Sequence, residues 1–348
     1  MGKTKIILLI IALILISGCS IQLKTNNQNL NDLGVYKTNN KGDSWVQRTL
    51  VPTISGNQNI GSINAEKLVM DPSDNKAIYW ASSQGLFYTY DGANGWQVAI
   101  SLGQIAVNDI AIDYNAKCVI YVSSGNKVYK STDCNRGWTQ VYFDNNISLK
   151  IKAIIVDHYD GKNVYLGTSR GEIIKSSDSG TSWQTIKRFD RDVEKIIMSP
   201  LDSRVIFAVT EGGIIFRTQD SGNSWDNLRE KSDELKNMKA FKDLVAVGDE
   251  KNTLLLVTVS ELLKSTDDGE SWEKIKLITP PQEGTINSAA ISPKNTAEIY
   301  YITNTTYFRS FDGGENWATK KLPTNGAGWK LLIDPVDPKI IYMGVRKK

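Results

Sequence analysis

Aspartates and tryptophans recur together along this chain of 348 residues, and both side chains could do chemistry. Paired carboxylates can act as acid and base in glycoside hydrolysis, and tryptophans can stack on sugars. The aspartates share one place in the pattern Ser/Thr-x-Asp-x-Gly-x-x-Trp, namely Asp91, Asp133, Asp178, Asp220, Asp267 and Asp312. Because the pattern recurs periodically, we interpret all six as structural turn residues without a catalytic role.

The spacing of the pattern predicts a repeat architecture. Its seven tryptophans lie 51, 42, 45, 42, 47 and 45 residues apart, which suits a propeller blade of four strands. Short apolar stretches flank each copy, so the pattern is the turn of a hairpin. In such a turn, an aspartate can accept hydrogen bonds from backbone amides and a glycine can adopt a positive φ.

The two ends of the repeat region complement each other. Residues 329–348 contain a strand pair that no hairpin follows, and the first hairpin, residues 35–47, has no strand pair before it. One blade built from both ends explains both deficits and removes exposed sheet edges. The sequence therefore predicts an all-β, seven-bladed propeller over residues 34–348, closed by pairing of the N-terminal and C-terminal strands.

At these residues the chain resembles the Asp-box, or bacterial neuraminidase repeat (BNR), proteins. The family includes sialidases, sortilin-type propellers, xyloglucan-hydrolysing glycosidases and photosystem II assembly factors, so the resemblance implies the fold more strongly than a function. The Arg-Ile-Pro segment of sialidases is absent, and residues 80–87 lack the carboxylate that xyloglucan-cleaving relatives carry there. We therefore expect a non-catalytic binding or assembly scaffold, with a cell-surface glycoside hydrolase (glucan- or sialoside-type) as the alternative.

A partner is expected to meet the face opposite the Asp-box turns. The loops predicted there carry charges of alternating sign, which suit a protein or an extracellular glycan partner. The candidate ligand-binding residues are Arg170, Glu172, Arg188, Arg191, Glu211 and Arg229. A solvated rim without a partner is the alternative for these residues.

The numbers and positions of cysteine and histidine limit which disulfides and metal sites the chain can form. Cys118 and Cys134 are a possible disulfide, because the predicted hairpin sets Cys118 opposite about Ser131; two separate thiols are the alternative. His158 is the only histidine, and no cysteine cluster accompanies it, so neither a metal site nor a cofactor is expected. The formal charge of +3 argues against a nucleic-acid partner, and the basic run at residues 346–348 is interpreted as a solvated tail.

The N-terminus predicts export. Lys3 and Lys5 precede an apolar run of 11 residues, too short for the roughly 20 that cross a bilayer. Residues 16–19 (Ile-Ser-Gly-Cys) resemble a bacterial lipobox, although an ordinary signal peptide with an incidental cysteine is the alternative. We therefore expect a lipoprotein signal peptide at residues 1–18, lipid on Cys19 and a flexible polar tether at residues 19–33. The monomeric propeller would be anchored to the cell membrane or outer membrane and face the periplasm or exterior.

Replacement of Cys19 with alanine (Cys19→Ala) should release the protein from the membrane. Each buried methylene of an acyl chain contributes about 0.8 kcal/mol, so loss of the chains removes the anchor. Fractionation of cells labelled with a fatty acid measures both the lipid and the location. A Cys19→Ala protein that kept its label and stayed in the membrane fraction would contradict this expectation.

Overall fold

The computed structural model describes residues 31–236, 238, 240–248, 252–278 and 284–348. The predicted signal peptide, Cys19 and residues 20–30 of the predicted tether lie outside the described residues.

The described part of the chain forms thirty strands and three short helical segments. In chain order the strands are β1 (Gly34–Thr38), β2 (Val46–Gln47), β3 (Leu50–Thr53), β4 (Gly56–Asn59), β5 (Lys67–Asp71), β6 (Asp74–Ser82), β7 (Gly85–Thr89), β8 (Gln97–Val98), β9 (Asp109–Ile112), β10 (Ile120–Ser124), β11 (Lys127–Ser131), β12 (Thr139–Phe143), β13 (Ile151–Val156), β14 (Val164–Thr168), β15 (Glu172–Ser176), β16 (Gln184–Arg188), β17 (Val193–Met198), β18 (Ile206–Thr210), β19 (Ile214–Thr218), β20 (Asp226–Asn227), β21 (Phe241–Val247), β22 (Thr253–Thr258), β23 (Leu262–Ser265), β24 (Glu273–Ile275), β25 (Ser288–Ser292), β26 (Asn295–Ile302), β27 (Thr306–Ser310), β28 (Ala318–Lys321), β29 (Ala327–Ile333) and β30 (Ile341–Arg346). The helical segments are two 3-10 turns, Ile100–Leu102 and Leu228–Glu230, and α1 (Asp233–Lys236).

Seven antiparallel four-stranded sheets form the blades of a propeller. Blades 1 to 6 are the consecutive quartets β5–β8, β9–β12, β13–β16, β17–β20, β21–β24 and β25–β28, and blade 7 has the order β2-β1-β30-β29. The first strands of neighbouring blades contact one another around the ring, so they surround a central channel. This arrangement confirms the predicted seven-bladed fold.

Blade 7 closes the ring with strands from both ends of the chain, as the sequence predicts. β30 pairs with β29 on one side and with β1 on the other, and Gly34 lies opposite Val345 while Thr38 lies opposite Ile341. Strand β30 is buried from Ile341 to Val345. Closure therefore joins residues about 300 positions apart in one hydrogen-bonded sheet.

The second strands of the blades form the middle of the core. β14, β18 and β22 are buried at every residue. This burial explains why their sequences are apolar runs in which polar and apolar residues do not alternate. Each such strand packs against a neighbouring blade on both of its faces. The core is therefore a series of interblade layers around the ring.

The Asp-box turns repeat one set of hydrogen bonds. In blade 4, the Thr218 hydroxyl donates to Asp220 Oδ1 at 2.7 Å, the Ser224 amide donates to the same oxygen at 2.9 Å, and the Gly222 amide donates to Thr218 Oγ1 at 2.9 Å. Blade 7 has Asn40 where the others have aspartate, and its amide oxygen accepts the equivalent bonds from Thr38 at 2.7 Å and from Ser44 at 2.9 Å. The turn therefore requires an acceptor oxygen at this position and tolerates the loss of the charge.

The fifth position of the box adopts a left-handed backbone even where glycine is replaced. The glycines of the exact copies have φ near +90°, as in Gly222 (φ +99°), and the substituted positions follow them, with φ of +66° at Ala93 and +69° at Asn135. A left-handed residue with a Cβ costs about 1 kcal/mol. The fourth position is left-handed as well, with φ of +61° at Ser179 and +59° at Ser221, so blade 2, with Cys134 and Asn135, is the copy with two left-handed residues that carry a Cβ.

Tyrosines join consecutive blades on the Asp-box side. The hydroxyl of Tyr121 in blade 2 donates to Ser179 O in the box of blade 3, and the hydroxyl of Tyr165 in blade 3 donates to Ser221 O in the box of blade 4. Across the closing blade, Tyr342 donates to Gly92 O in the box of blade 1. These bonds tie the Asp-box turns of blades 3, 4 and 1 to the blade before each of them.

A hairpin that the sequence analysis missed fills the long first repeat. Strands β3 and β4 pair with each other, and Leu50 O accepts a hydrogen bond from the Trp96 amide at 2.8 Å. Val51 is buried in the same cluster as Trp96. The extra residues of the 51-residue interval therefore cover the outer edge of blade 1.

Cys118 and Cys134 form a disulfide in the structure, with their Cα atoms 4.1 Å apart. The register differs from the expected one, because Ile120, two residues later than Cys118, lies opposite Ser131. Cys118 therefore lies just before β10, on the Asp-box side. The chain-entropy model values a loop of this length at about 3 kcal/mol.

The Asp-box carboxylates predict an acid-sensitive stability. Hydrogen bonds from Ser182 and Ser224 lower the pKa of Asp178 and Asp220 to about 2, and those from the Asn316 amide and from Ser310 lower the pKa of Asp312 to about 2. Because the folded pKa lies below the unfolded value near 4, this stabilisation is complete above about pH 4 and is lost as the pH falls through about 2.

We expect Asp220→Asn to weaken this pH dependence and Asn40→Asp to strengthen it, since Asn40 already shows that an amide can serve the turn. Urea unfolding between about pH 2 and pH 5 measures the free energy of unfolding for each protein. Identical pH profiles for wild type and Asp220→Asn would show that this carboxylate is not coupled to folding.

Candidate functional site

The upper face of the propeller, defined here as the side opposite the Asp boxes, carries the candidate site. In each up-and-down blade, the first strand begins on this face, the second and third strands are joined there, and the fourth strand leaves from it toward the next blade. Loops from neighbouring blades therefore meet around the upper mouth of the channel. This placement agrees with the sequence-based expectation for the candidate residues.

The rim network of the upper face consists of Asp144, Arg170, Glu172 and Arg188. Glu172 and Arg188 lie opposite each other in strands β15 and β16, and Arg188 Nη2 donates to Glu172 Oε1 at 2.6 Å. Arg170 Nη2 donates to Glu172 Oε2 and to Asp144 Oδ2, both at 3.1 Å. Glu172 is only 2% exposed, whereas the side chains of Arg170 and Arg188 are 45% and 68% exposed. The buried carboxylate therefore holds two exposed guanidinium groups in place.

The other three candidates lie farther along the rim. The guanidinium of Arg191 lies beside Gly212, the residue that follows Glu211. The backbone amide of Glu211 donates to Asp192 O at 2.8 Å. Arg229 follows blade 4 and donates to Lys236 O at 3.1 Å within its own connection. The structure thus joins three of the six candidates in one network and places Arg191 and Glu211 side by side. Arg229 belongs to a separate part of the rim.

Four bulged residues at the channel mouth were missed by the sequence analysis. The first strands of blades 3, 4, 5 and 7 each skip one residue in their pairing at the same place. The skipped residues are Lys152, Glu194, Lys242 and Trp329. Bulges turn side chains away from the regular sheet and are common beside binding sites.

These bulged side chains form two clusters. Lys152 Nζ donates to Asp192 at 2.8 Å and to Glu194 at 2.7 Å. Trp329 lies between two cations, with the Arg346 guanidinium 3.0 Å and Lys242 Nζ 5.6 Å from the ring centroid. Burial lowers the pKa of both Lys242 and Arg346. The interpretation of residue 346 as part of a solvated tail is therefore wrong, because Arg346 ends β30 and packs on an aromatic ring.

Two carboxylate pairs on this face are each bridged by a cation. Arg170 Nη2 lies between Asp144 and Glu172, and Lys152 Nζ lies between Asp192 and Glu194. A glycosidase needs the space between its two carboxyl groups for the glycosidic oxygen or for water. In these two pairs a side chain of the protein occupies that space.

Metal-ligand groups and membrane-spanning helices are both absent from the described ranges. No group of three or more His, Cys, Asp or Glu residues there is placed to hold a metal ion. Nor does any described helix combine the length and apolar character needed to cross a membrane.

The boxed hairpins and the closed ring define an Asp-box β-propeller, as the resemblance in the sequence implied. Residues 171–261 match the family model described as Sortilin, neurotensin receptor 3 (Sortilin-Vps10). A xyloglucanase from a Paenibacillus species is 26% identical over 196 residues, which cover 47% of this chain and 19% of that protein.

Two solved structures share the fold. The GH74 xyloglucanase from Xanthomonas campestris superposes with a TM-score of 0.65 at 15% identity, covering 86% of this chain and 52% of that one. YCF48 bound to D1 peptide superposes with a TM-score of 0.58 at 16% identity, covering 82% of this chain and 98% of that one. The chain thus spans about a fifth of the Paenibacillus enzyme, about half of the Xanthomonas enzyme and nearly all of YCF48.

Replacement of Glu172 with glutamine (Glu172→Gln) should lower the free energy of unfolding by about 1.5 to 3 kcal/mol, because the buried carboxylate accepts charged hydrogen bonds from two arginines. Glu211→Gln is the matched control on the same face, since Glu211 is exposed and a change within about 0.5 kcal/mol is expected there. Urea unfolding at neutral pH measures both. Equal values for the two variants would refute the anchoring role of Glu172.

Proposed function

We propose that this propeller is an exported, lipid-anchored scaffold that binds a protein partner through the rim network of its upper face, without catalysing a reaction. The observation that carries the proposal is the buried Glu172, which presents Arg170 and Arg188 to the solvent in a fixed arrangement. Arginine side chains that are already fixed before binding lose less conformational entropy when a partner binds, and their planar guanidinium groups can pair with carboxylates of the partner.

Charges of both signs around the network favour a protein partner. Arg191 and Glu211 continue the rim toward blade 4, beside the pair formed by Lys152 and Asp192. A rim of mixed sign selects a partner with the complementary pattern and contributes to specificity more than to affinity. An extracellular glycan carries fewer charges and would use less of this pattern.

Size supports the same proposal. YCF48, which was solved with D1 peptide bound, is a protein of similar extent, since 98% of it is covered by this chain. By that analogy, one propeller of this size is sufficient to bind a peptide. The analogy concerns the fold, and the partner of this chain follows from its own rim residues.

Hydrolysis of xyloglucan is the second candidate function. It is favoured by the 26% identity to the Paenibacillus xyloglucanase. Against it stand the two cations that bridge Asp144 with Glu172 and Asp192 with Glu194. The match also covers only 19% of that enzyme.

The anchor and the location belong to the proposal as well. They are supported by the short apolar run and the Cys19 context, which lie outside the described residues. A lipid on Cys19 would keep the propeller at a membrane surface on the exterior side, and the ring needs no second copy to complete its sheets.

Charge reversal at the rim tests the scaffold function. Crosslinking in cells, followed by mass spectrometry, should recover a protein partner with the wild-type lipoprotein and at least tenfold less of it with Arg188→Glu, a loss of about 1.4 kcal/mol in binding free energy. Arg204→Glu is the matched control, because Arg204 is an exposed arginine paired with Asp202 at 2.7 Å on the Asp-box side.

An activity assay tests the alternative. The purified protein should release no reducing sugar from xyloglucan above the blank. Turnover that disappears in Glu172→Gln or in an Asp192→Asn variant would refute the scaffold proposal and establish the hydrolase. Equal partner recovery with Arg188→Glu and Arg204→Glu would instead show that the rim network is not the binding surface.

A further inference from the structure

A ring of equivalent positions lies just inside the upper mouth of the channel. In each blade, one residue of the first strand pairs with the fourth residue of the second strand's buried run, counted from Ile78 in blade 1 and from Ile341 in blade 7. Lys67 thus pairs with Ala81, and Lys330 pairs with Gly344. The seven residues of this channel ring are Lys67, Asp109, Ala153, Lys195, Asp243, Ser288 and Lys330. Five of the seven carry charge.

The charges of the channel ring do not balance. Lys67 pairs with Asp109, while Lys195 and Lys330 both pair with Asp243. Three lysines therefore share two carboxylates, which leaves one positive charge in excess. Asp109 and Asp243 also accept bonds from the backbone amides of Ile154 and Leu244, so every oxygen of the two carboxylates already has a partner.

The excess charge is partly buried, since the side chains of Lys67, Lys195 and Lys330 are 31%, 23% and 21% exposed. Burial lowers the pKa of Lys195 to about 8, although Asp243 opposes this effect, and Lys330 and Lys67 add to it. Burial alone would raise the pKa of Asp243, but Lys195 and Lys330 hold it well below its usual range. A further anion beside the three lysines would remove the imbalance.

Below the channel ring, the channel is lined mostly by apolar side chains. One lobe of about 510 Å³ is lined by all three ring lysines and by apolar side chains that include Ile197, Val245 and Leu332. A second lobe of about 610 Å³ continues toward the Asp-box side, and both lobes are lined by Val69 and Ile155. The four steps from Lys67 to Asp71 span about 13 Å along the strand.

The charge of the channel lining changes from the upper end to the lower end. The lysines lie at the upper end, aliphatic side chains line the middle, and Asp71 lies at the lower end, where its carboxylate accepts bonds from Ser73 at 2.7 and 2.8 Å. A ligand with an anionic head and an aliphatic body therefore fits with its head upward. The opposite orientation would place the anionic head beside Asp71, away from the three lysines.

We propose that the channel binds an aliphatic carboxylate, with its head at Lys67, Lys195 and Lys330 and its chain along the apolar lobe below. The head supplies the missing negative charge, and the chain contributes through burial of apolar surface. This site is separate from the rim network and does not depend on a partner binding there.

Titration calorimetry with decanoate as the probe tests this site in the full-length protein, compared with decanol, which lacks the charge, and with acetate, which lacks the chain. Decanoate should bind at least tenfold more tightly than either. Lys195→Met leaves two lysines for two aspartates, so it should fold and should weaken decanoate binding at least tenfold. Lys162→Met removes an exposed lysine on the Asp-box side of blade 3 and should leave decanoate binding unchanged.

A second variant separates the chain site from the charge. Ile155→Trp fills the cavity shared by the two lobes without altering a lysine, so it should abolish decanoate binding. Unchanged decanoate binding in Lys195→Met or in Ile155→Trp would overturn the proposal, as would equal affinity for decanoate and decanol. Because both variants leave Arg188 intact, recovery of a protein partner reports on the rim independently.

Discussion

Closure of the ring by β30 is the constraint on which the other features depend. Because β30 lies between β29 and β1, blade 7 contributes a buried face to blade 1 on one side and to blade 6 on the other. Without it, those two blades would expose apolar surface, and the first strands would not surround a channel. Tyrosine bonds to the Asp-box turns add a connection at several blade boundaries, including Tyr342 to Gly92 at the closure.

The sequence predicts the parts of this fold that local chemistry determines. An aspartate four residues before a turn amide, with a glycine between them, needs no distant partner, so the seven hairpins were recognisable from spacing alone. Ring closure was also predictable, since it follows from counting strands at the two ends. The β3–β4 hairpin was not, because the run Gly56–Asn59 is polar and exposed and gives no periodic signal.

The candidate site was predictable only in its loops. Glu172 was expected on an exposed rim, and the structure buries it, because it starts a strand whose alternate side chains face the core. The bulges at Lys152, Glu194, Lys242 and Trp329 have no local sequence signal, since a shift in register depends on both strands. A signal for the channel ring did exist: Lys67, Lys195 and Lys330 each stand directly before an apolar triplet, but their equivalence needs the strand register.

The path of the chain at its start sets an orientation for the proposed lipoprotein. Asp32 accepts hydrogen bonds from Thr324 and Asn325 in the connection that leads to blade 7, so the chain enters the propeller from the upper face. Fifteen residues from Cys19 to Leu33 reach at most about 50 Å. The tether would then join the propeller on the side of the rim and the channel mouth, and the Asp boxes would lie on the far side from it. A partner that is itself held at the bilayer within that reach could therefore meet the rim.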